Sequence, residues 1–140
     1  MRLTVVGSGT AAPEAERVCA GFLVESAATR ALFDCGPGVV HHLARFRLPW
    51  RELDHVFLSH FHNDHTGDLP MLLFALKWGV PGGRRSPLTL WGPAGVRQRL
   101  EAMAAAYGEH VVEPGFPLSI RTLEPGGAVR AGALEVATVA

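Results

Sequence analysis

Net charge, cysteine and long apolar runs are all scarce in this 140-residue sequence. Thirteen basic side chains balance thirteen acidic ones, which excludes the whole-chain positive field of a dedicated DNA-binding module. The longest apolar run, Met71–Leu76, stops at Lys77 and falls far short of the roughly 18 residues needed to cross a bilayer. The opening Met1–Val6 runs straight into a glycine turn and lacks the layout of a signal peptide. Cys19 and Cys35 are the only cysteines, too few for a disulfide framework, so reduced thiols and a cytoplasmic location are expected. Lys77 is the single lysine beside twelve arginines, and Asn63 and Gln98 are the single amides. That bias suits a heat-adapted protein or a GC-rich genome and carries no functional information. What is plentiful is apolar residue: a 48% hydrophobic fraction excludes disorder and suffices for one globular core.

Short apolar runs bounded by glycine predict a buried strand at Leu3–Val6 and a hairpin from Gly21–Glu25 and Ala31–Phe33. Pro37 opens a helix reaching to about Arg47, with Val39, Val40, Leu43 and Phe46 on one face. A strand over His55–Leu58 then delivers the chain to Ser59 and His60. Gly67 or Asp68 caps the next helix, which carries Leu69, Leu72, Leu73 and Leu76. A strand at Leu88–Trp91, a helix at Pro93–Tyr107, and strands at Leu118–Leu123 and Ala128–Val139 follow. Strands alternating with helices give an α/β layered fold. The last strand-like stretch runs to the final residue without a turn or cap, so residues 1–140 are expected to form one truncated domain.

The informative stretch is Ser59-His60-Phe61-His62-Asn63-Asp64-His65-Thr66-Gly67-Asp68. Three histidines and an aspartate fall within six residues, between a buried strand and a helix. In an extended segment His60 and His62 project to the same side, and Asp64 and His65 lie where the chain turns and can swing toward the same point. Imidazole with carboxylate is the ligand set favoured by zinc, and less often by iron or manganese. One pair of ligands per ion, completed from elsewhere, builds a two-metal site about 3.5 Å across. A chain of this composition acquires the pattern by chance about once in two thousand times, and a solvated polar loop explains the residue types but not their place at a strand end.

His60-x-His62-x-Asp64-His65 resembles the signature of the metallo-β-lactamase superfamily of dinuclear metallohydrolases. Gly7–Pro13 with Arg17, Phe33–Gly38 and Gly67–Pro70 resemble its ribonuclease Z-like branch, in matching order over essentially the first hundred residues. The resemblance implies the first half of an αββα sandwich, a mixed sheet with flanking helices. His60 and His62 would ligate one divalent ion, Asp64 and His65 the other, with zinc first and Mn2+ or Fe2+ as alternatives. It implies that Asp64 is also the catalytic proton acceptor and that Asp34 is a supporting residue behind the ligands. Members are about twice as long, and their second half brings a further His, a bridging Asp and a final His that this sequence lacks. A homodimer is implied as well. Val18 stands where RNA-processing members place Asn, and Glu14 and Glu16 stand where they favour basic residues, which weakens the RNA reading without touching the metal.

Other features read more plainly. Gly7–Thr10 lacks the lysine of a phosphate-binding loop and is a tight turn. His41, His42, His55 and His110 have no partner at ligand spacing and read as surface or boundary residues. Cys35, beside Asp34, reads as a small buried thiol. Arg84 and Arg85 read as solubilising a loop, with contact to an anionic substrate as the alternative. Part of the Met71–Leu76 face could cover a partner subunit. The function expected is metal-assisted hydrolysis of a phosphodiester or related ester, RNA included. The alternatives are a small-molecule ester, lactone or thioester, or a catalytically incomplete fragment; substrate-binding residues stay unassigned.

Overall fold

The computed structural model describes residues 1–139. Its main sheet has six strands in chain order: β1 (Arg2–Gly7), β2 (Gly21–Ser26), β3 (Thr29–Phe33), β4 (His55–Phe57), β5 (Leu88–Gly92) and β6 (Leu118–Thr122). The first three are antiparallel, as the hairpin reading of Gly21–Glu25 and Ala31–Phe33 requires, and β3 to β6 are parallel, as strands alternating with helices require, so the sheet is mixed. Helices make the parallel crossovers: α1 (Val39–Arg45), the short α2 (Asn63–Thr66) with α3 (Leu69–Trp78), and α4 (Val96–Tyr107). Strands β7 (Ala128–Ala131) and β8 (Leu134–Ala137) pair as a separate hairpin. No helix among the described residues is long and apolar enough to cross a membrane.

Register assigns the two faces of the sheet. One row across it reads Leu23, Leu32, Val56 and Leu90, all at most 1% exposed. Leu43 of α1, Leu69, Leu72, Leu73 and Leu76 of α3, and Leu100 of α4 pack over that row and are equally buried. Each such leucine contributes about 1.5–3 kcal/mol by leaving water. The opposite face carries the row Val5, Phe22, Phe33, Phe57, Trp91. Phe57 stacks on Phe33 at 4.7 Å and on Trp91 at 5.6 Å. Only the β7–β8 hairpin lies over this face among the described residues, through Ala131 and Leu134 against Ala31 and Phe57. At its β1 end Leu3 and Val5 stay 62% and 58% exposed.

Several local expectations shift. Helix α1 starts at Val39, after Gly38 at φ 89°, and α4 starts at Val96, after Gly95 at φ 89°. The stretch Ala128–Val139 is not a continuation of the main sheet but the hairpin. Asp68 takes the N-cap position of α3, but its side chain makes no capping bond there; its Oδ2 instead accepts the Val40 N–H at 3.0 Å and so caps α1. Arg84 is buried rather than solvated. It donates to the carbonyls of Arg51, Leu53, Ser86 and Pro87 at 2.6–2.8 Å and tethers its loop to the turn before β4. His110 is also buried, against the paired rings of Phe74 and Trp78.

Candidate metal centre

Parallel strands end together, and the loops after β3 and β4 therefore meet at the carboxyl edge of the sheet. The loop after β4 holds Ser59 to His62, and α2 follows with His62 at its start in extended conformation. Three hydrogen bonds tie this segment to the loop after β3: Asp34 N to Phe57 O at 2.7 Å, Cys35 N to His65 O at 2.7 Å, and Asp68 N to Cys35 O at 2.9 Å. Gly36 permits the approach, because a Cβ there would sit 1.9 Å from the Asp64 carbonyl oxygen. The two loops are thus stitched backbone to backbone before any side chain takes part.

On that frame the donor atoms of His60, His62 and Asp64 lie within 4.8 Å of one another. The His60 ring is 4.7 Å from that of His62 and 4.0 Å from that of His65, centroid to centroid. His65 Nε2 is 3.5 Å from Asp64 Oδ2. All four residues singled out by spacing therefore converge, although β4 ends at Phe57 and the convergence belongs to a loop and a short helix rather than to an extended strand. His41, His42, His55 and His110 take no part. His42 Nδ1 bonds the Val6 carbonyl at 2.9 Å, and His55 Nδ1 accepts from Trp91 Nε1 at 3.3 Å.

Behind the four stands Asp34, 6% exposed and held at φ 60°, a left-handed conformation costly for a side chain with a Cβ. Its Oδ2 accepts His65 Nδ1–H at 2.7 Å, while Oδ1 accepts the Ser59 N–H at 2.8 Å. The Ser59 hydroxyl lies 2.8 and 3.0 Å from the same carboxylate and 3.0 Å from His60 Nδ1. Ser59 is the residue that sequence reasoning missed. Its signal, a hydroxyl directly before the first histidine, gains meaning only through Asp34, twenty-five positions earlier.

The donor set suits a divalent metal. Imidazoles and a carboxylate converge, and one ring nitrogen of His65 is bonded to a carboxylate, the arrangement that orients metal-binding histidines. A cleft of about 730 Å³ opens on one side, lined in part by Thr10, Glu14, Arg17, Cys19, His62 and Asp64. A smaller one of about 310 Å³ has Asp34 and Ser59 in an otherwise largely apolar wall. Cys19, not Cys35, is the thiol at the cleft. Burial pushes the Cys35 thiol well above its ordinary range, and burial with nearby Asp64 raises that of Cys19.

Residues 29–140 match the beta-lactamase superfamily domain. The chain belongs to this superfamily. Ribonuclease Z of Haloferax volcanii is 35% identical over 137 residues, which cover 97% of this chain and 41% of that protein. Among solved structures, the metallo-beta-lactamase fold protein YhfI from Bacillus subtilis superposes with TM-score 0.75 at 27% identity, covering 93% of this chain and 49% of YhfI. The short form of human tRNase Z superposes with TM-score 0.73 at 27% identity, covering 88% and 44%. The superfamily chain described here thus spans less than half the length of these relatives and matches their N-terminal part. The superfamily fold implies divalent metal, and the His60, His62, Asp64 cluster is where this chain offers donors for it.

Proposed function

We propose that residues 1–140 are the N-terminal portion of one metal-dependent hydrolase domain that cleaves a phosphodiester, in RNA foremost. The observation that carries this reading is the convergence of His60, His62, Asp64 and His65 at one sheet edge, backed by Asp34. Similarity to ribonuclease Z supports RNA as substrate. His60 and His62 would hold one zinc ion and Asp64 and His65 a second, with donors from further chain completing both. Such ions supply Lewis-acid polarisation of the scissile oxygen and bring the pKa of a water toward neutrality. The protein's own share is to position and to move protons. His65 is fixed by Asp34, and a carboxylate oxygen of Asp64 takes the proton of the attacking water. The exposed Leu3 and Val5 at the β1 end of the aromatic face support a second layer completing the sandwich. Exposed Met71, Phe74 and Trp78 on α3 supply an apolar surface for a homodimer.

One observation favours the smaller-substrate reading. The cleft beside His62 and Asp64 is walled by Ala11, Ala12, Pro13, Val18 and Pro37, and its Arg17 is tied to Glu14 at 3.3 Å. The apolar wall and the Glu14 carboxylate suit a small neutral substrate better than a polyanion. Assays with a structured RNA, bis-p-nitrophenyl phosphate, a lactone and a thioester separate the readings. RNA turnover lost in Asp64→Ala supports the first, and lactone or thioester turnover without RNA cleavage replaces it with the second.

A further inference from the structure

We propose that Ser59 is a positioning residue that sets the tautomer of His60, so that Nε2 of this ring carries the lone pair offered to the metal. The inference rests on the metal-centre reading above, and its reasoning is a count of protons. Asp34 is an acceptor, with Oδ2 taken up by His65 Nδ1–H and Oδ1 by the Ser59 N–H. The Ser59 hydroxyl has one proton and faces three acceptor-capable atoms: both carboxylate oxygens at 2.8 and 3.0 Å, and His60 Nδ1 at 3.0 Å. Were that proton given to His60, the lone pairs of Oγ would face a carboxylate at 2.8 Å, acceptor against acceptor. The proton therefore goes to Asp34, where the bond is charge-assisted and strong. Oγ is left as an acceptor only, and His60 must meet it with Nδ1–H. One carboxylate thus fixes two rings: His65 directly, and His60 through the hydroxyl.

A space-filling role predicts nothing about ring protons, so the test reads them. Ring 15N shifts of His60 and His65 are measured in chelator-stripped protein at about pH 8, where unperturbed imidazoles are neutral. The expected wild-type spectrum has Nδ1 protonated and Nε2 unprotonated in both rings. Ser59→Ala releases His60 to mixed tautomers, leaves His65 unchanged, and weakens zinc binding by roughly ten- to a hundredfold. Ser59→Thr restores the hydroxyl and, with it, the spectrum and the affinity. A wild-type His60 protonated at Nε2 overturns the proposal, as does a Ser59→Ala protein with the wild-type spectrum and zinc affinity. Because the spectrum is read without metal, a wild type that shows the expected tautomers yet takes up no zinc refutes the metal reading and leaves the assignment to Ser59 standing.

Discussion

The loop from Ser59 to Asp68 and the patch where α3 meets the Glu109–Val111 turn both hold histidine, and they treat it in opposite ways. His110 packs edge-on against the paired rings of Phe74, at 5.3 Å, and Trp78, at 5.5 Å, is 8% exposed, and its Nε2 is buried without a hydrogen-bond partner. There the ring serves as an aromatic filler. In the loop, Nδ1 of His60 and of His65 is bonded to oxygen at 3.0 and 2.7 Å, and the far edges of the rings face Asp64 and one another. At His60 and His65 a fixed partner for one ring nitrogen leaves the other to be offered to a metal. Asp34 and Ser59 supply that partner, and nothing polar does so around His110.

Substitutions at the two places widen the contrast most. Asp64→Ala removes the proposed ligand and proton acceptor, and is expected to lower turnover of the metal-loaded enzyme by about 10²- to 10⁴-fold. His60→Ala is expected to abolish hydrolysis as well. The metal-free forms keep their thermal midpoints to within a few degrees, because polar side chains on a loop contribute little to the core. Steady-state rates and calorimetric melts check the pair. Turnover that survives Asp64→Ala would show that Asp64 is neither ligand nor base.

Asp34→Asn should have the next largest effect, for a geometric reason. The Ser59 N–H requires the amide oxygen at the Oδ1 position, which turns the amide NH2 toward His65 Nδ1. His65 is then forced to protonate Nε2, the nitrogen it would offer to a metal. Zinc affinity should fall by roughly ten- to a hundredfold, with the His65 ring shifts inverted. Unchanged shifts would show that the Asp34 contact does not govern the ring.

Smaller effects belong to the other histidines. His110→Ala opens a void beneath Phe74 and Trp78 and should cost about 1–3 kcal/mol in denaturant unfolding with zinc affinity unchanged. His110→Phe, which deletes the unpartnered nitrogen and keeps a ring, should be neutral or mildly stabilising. His55 gives the smallest response. Burial holds its pKa below the ordinary value, so the unfolded chain binds the proton more readily than the folded one. Its contribution is complete above the ordinary histidine pKa and is lost as pH falls below it. His55→Gln should flatten that part of the pH–stability curve, and an unchanged slope would assign the effect elsewhere.

The main strands and helices were legible because their apolar periods are clean, and the four ligand candidates because they lie within six residues. What escaped depended on contacts between distant segments. Asp68 reads as a cap for the helix it precedes, yet its carboxylate reaches the Val40 N–H of α1. Arg84 reads as a loop cation until the carbonyls of Arg51 and Leu53 converge on it. Cys35 stands beside Asp34 in sequence but points into the core, while Cys19, sixteen positions earlier, reaches the cleft. Ser59 is the sharpest case, since a serine's hydroxyl has no chemistry to declare until its acceptor is known.

Equilibrium zinc binding to the chelator-stripped protein tests the metal centre most directly, with a competing chelator setting the scale. Uptake should weaken at least about tenfold on loss of any one of His60, His62, Asp64 or His65. It should be unaffected by loss of His41, His42, His55 or His110. Absent uptake, or uptake indifferent to which histidine is removed, would contradict the account.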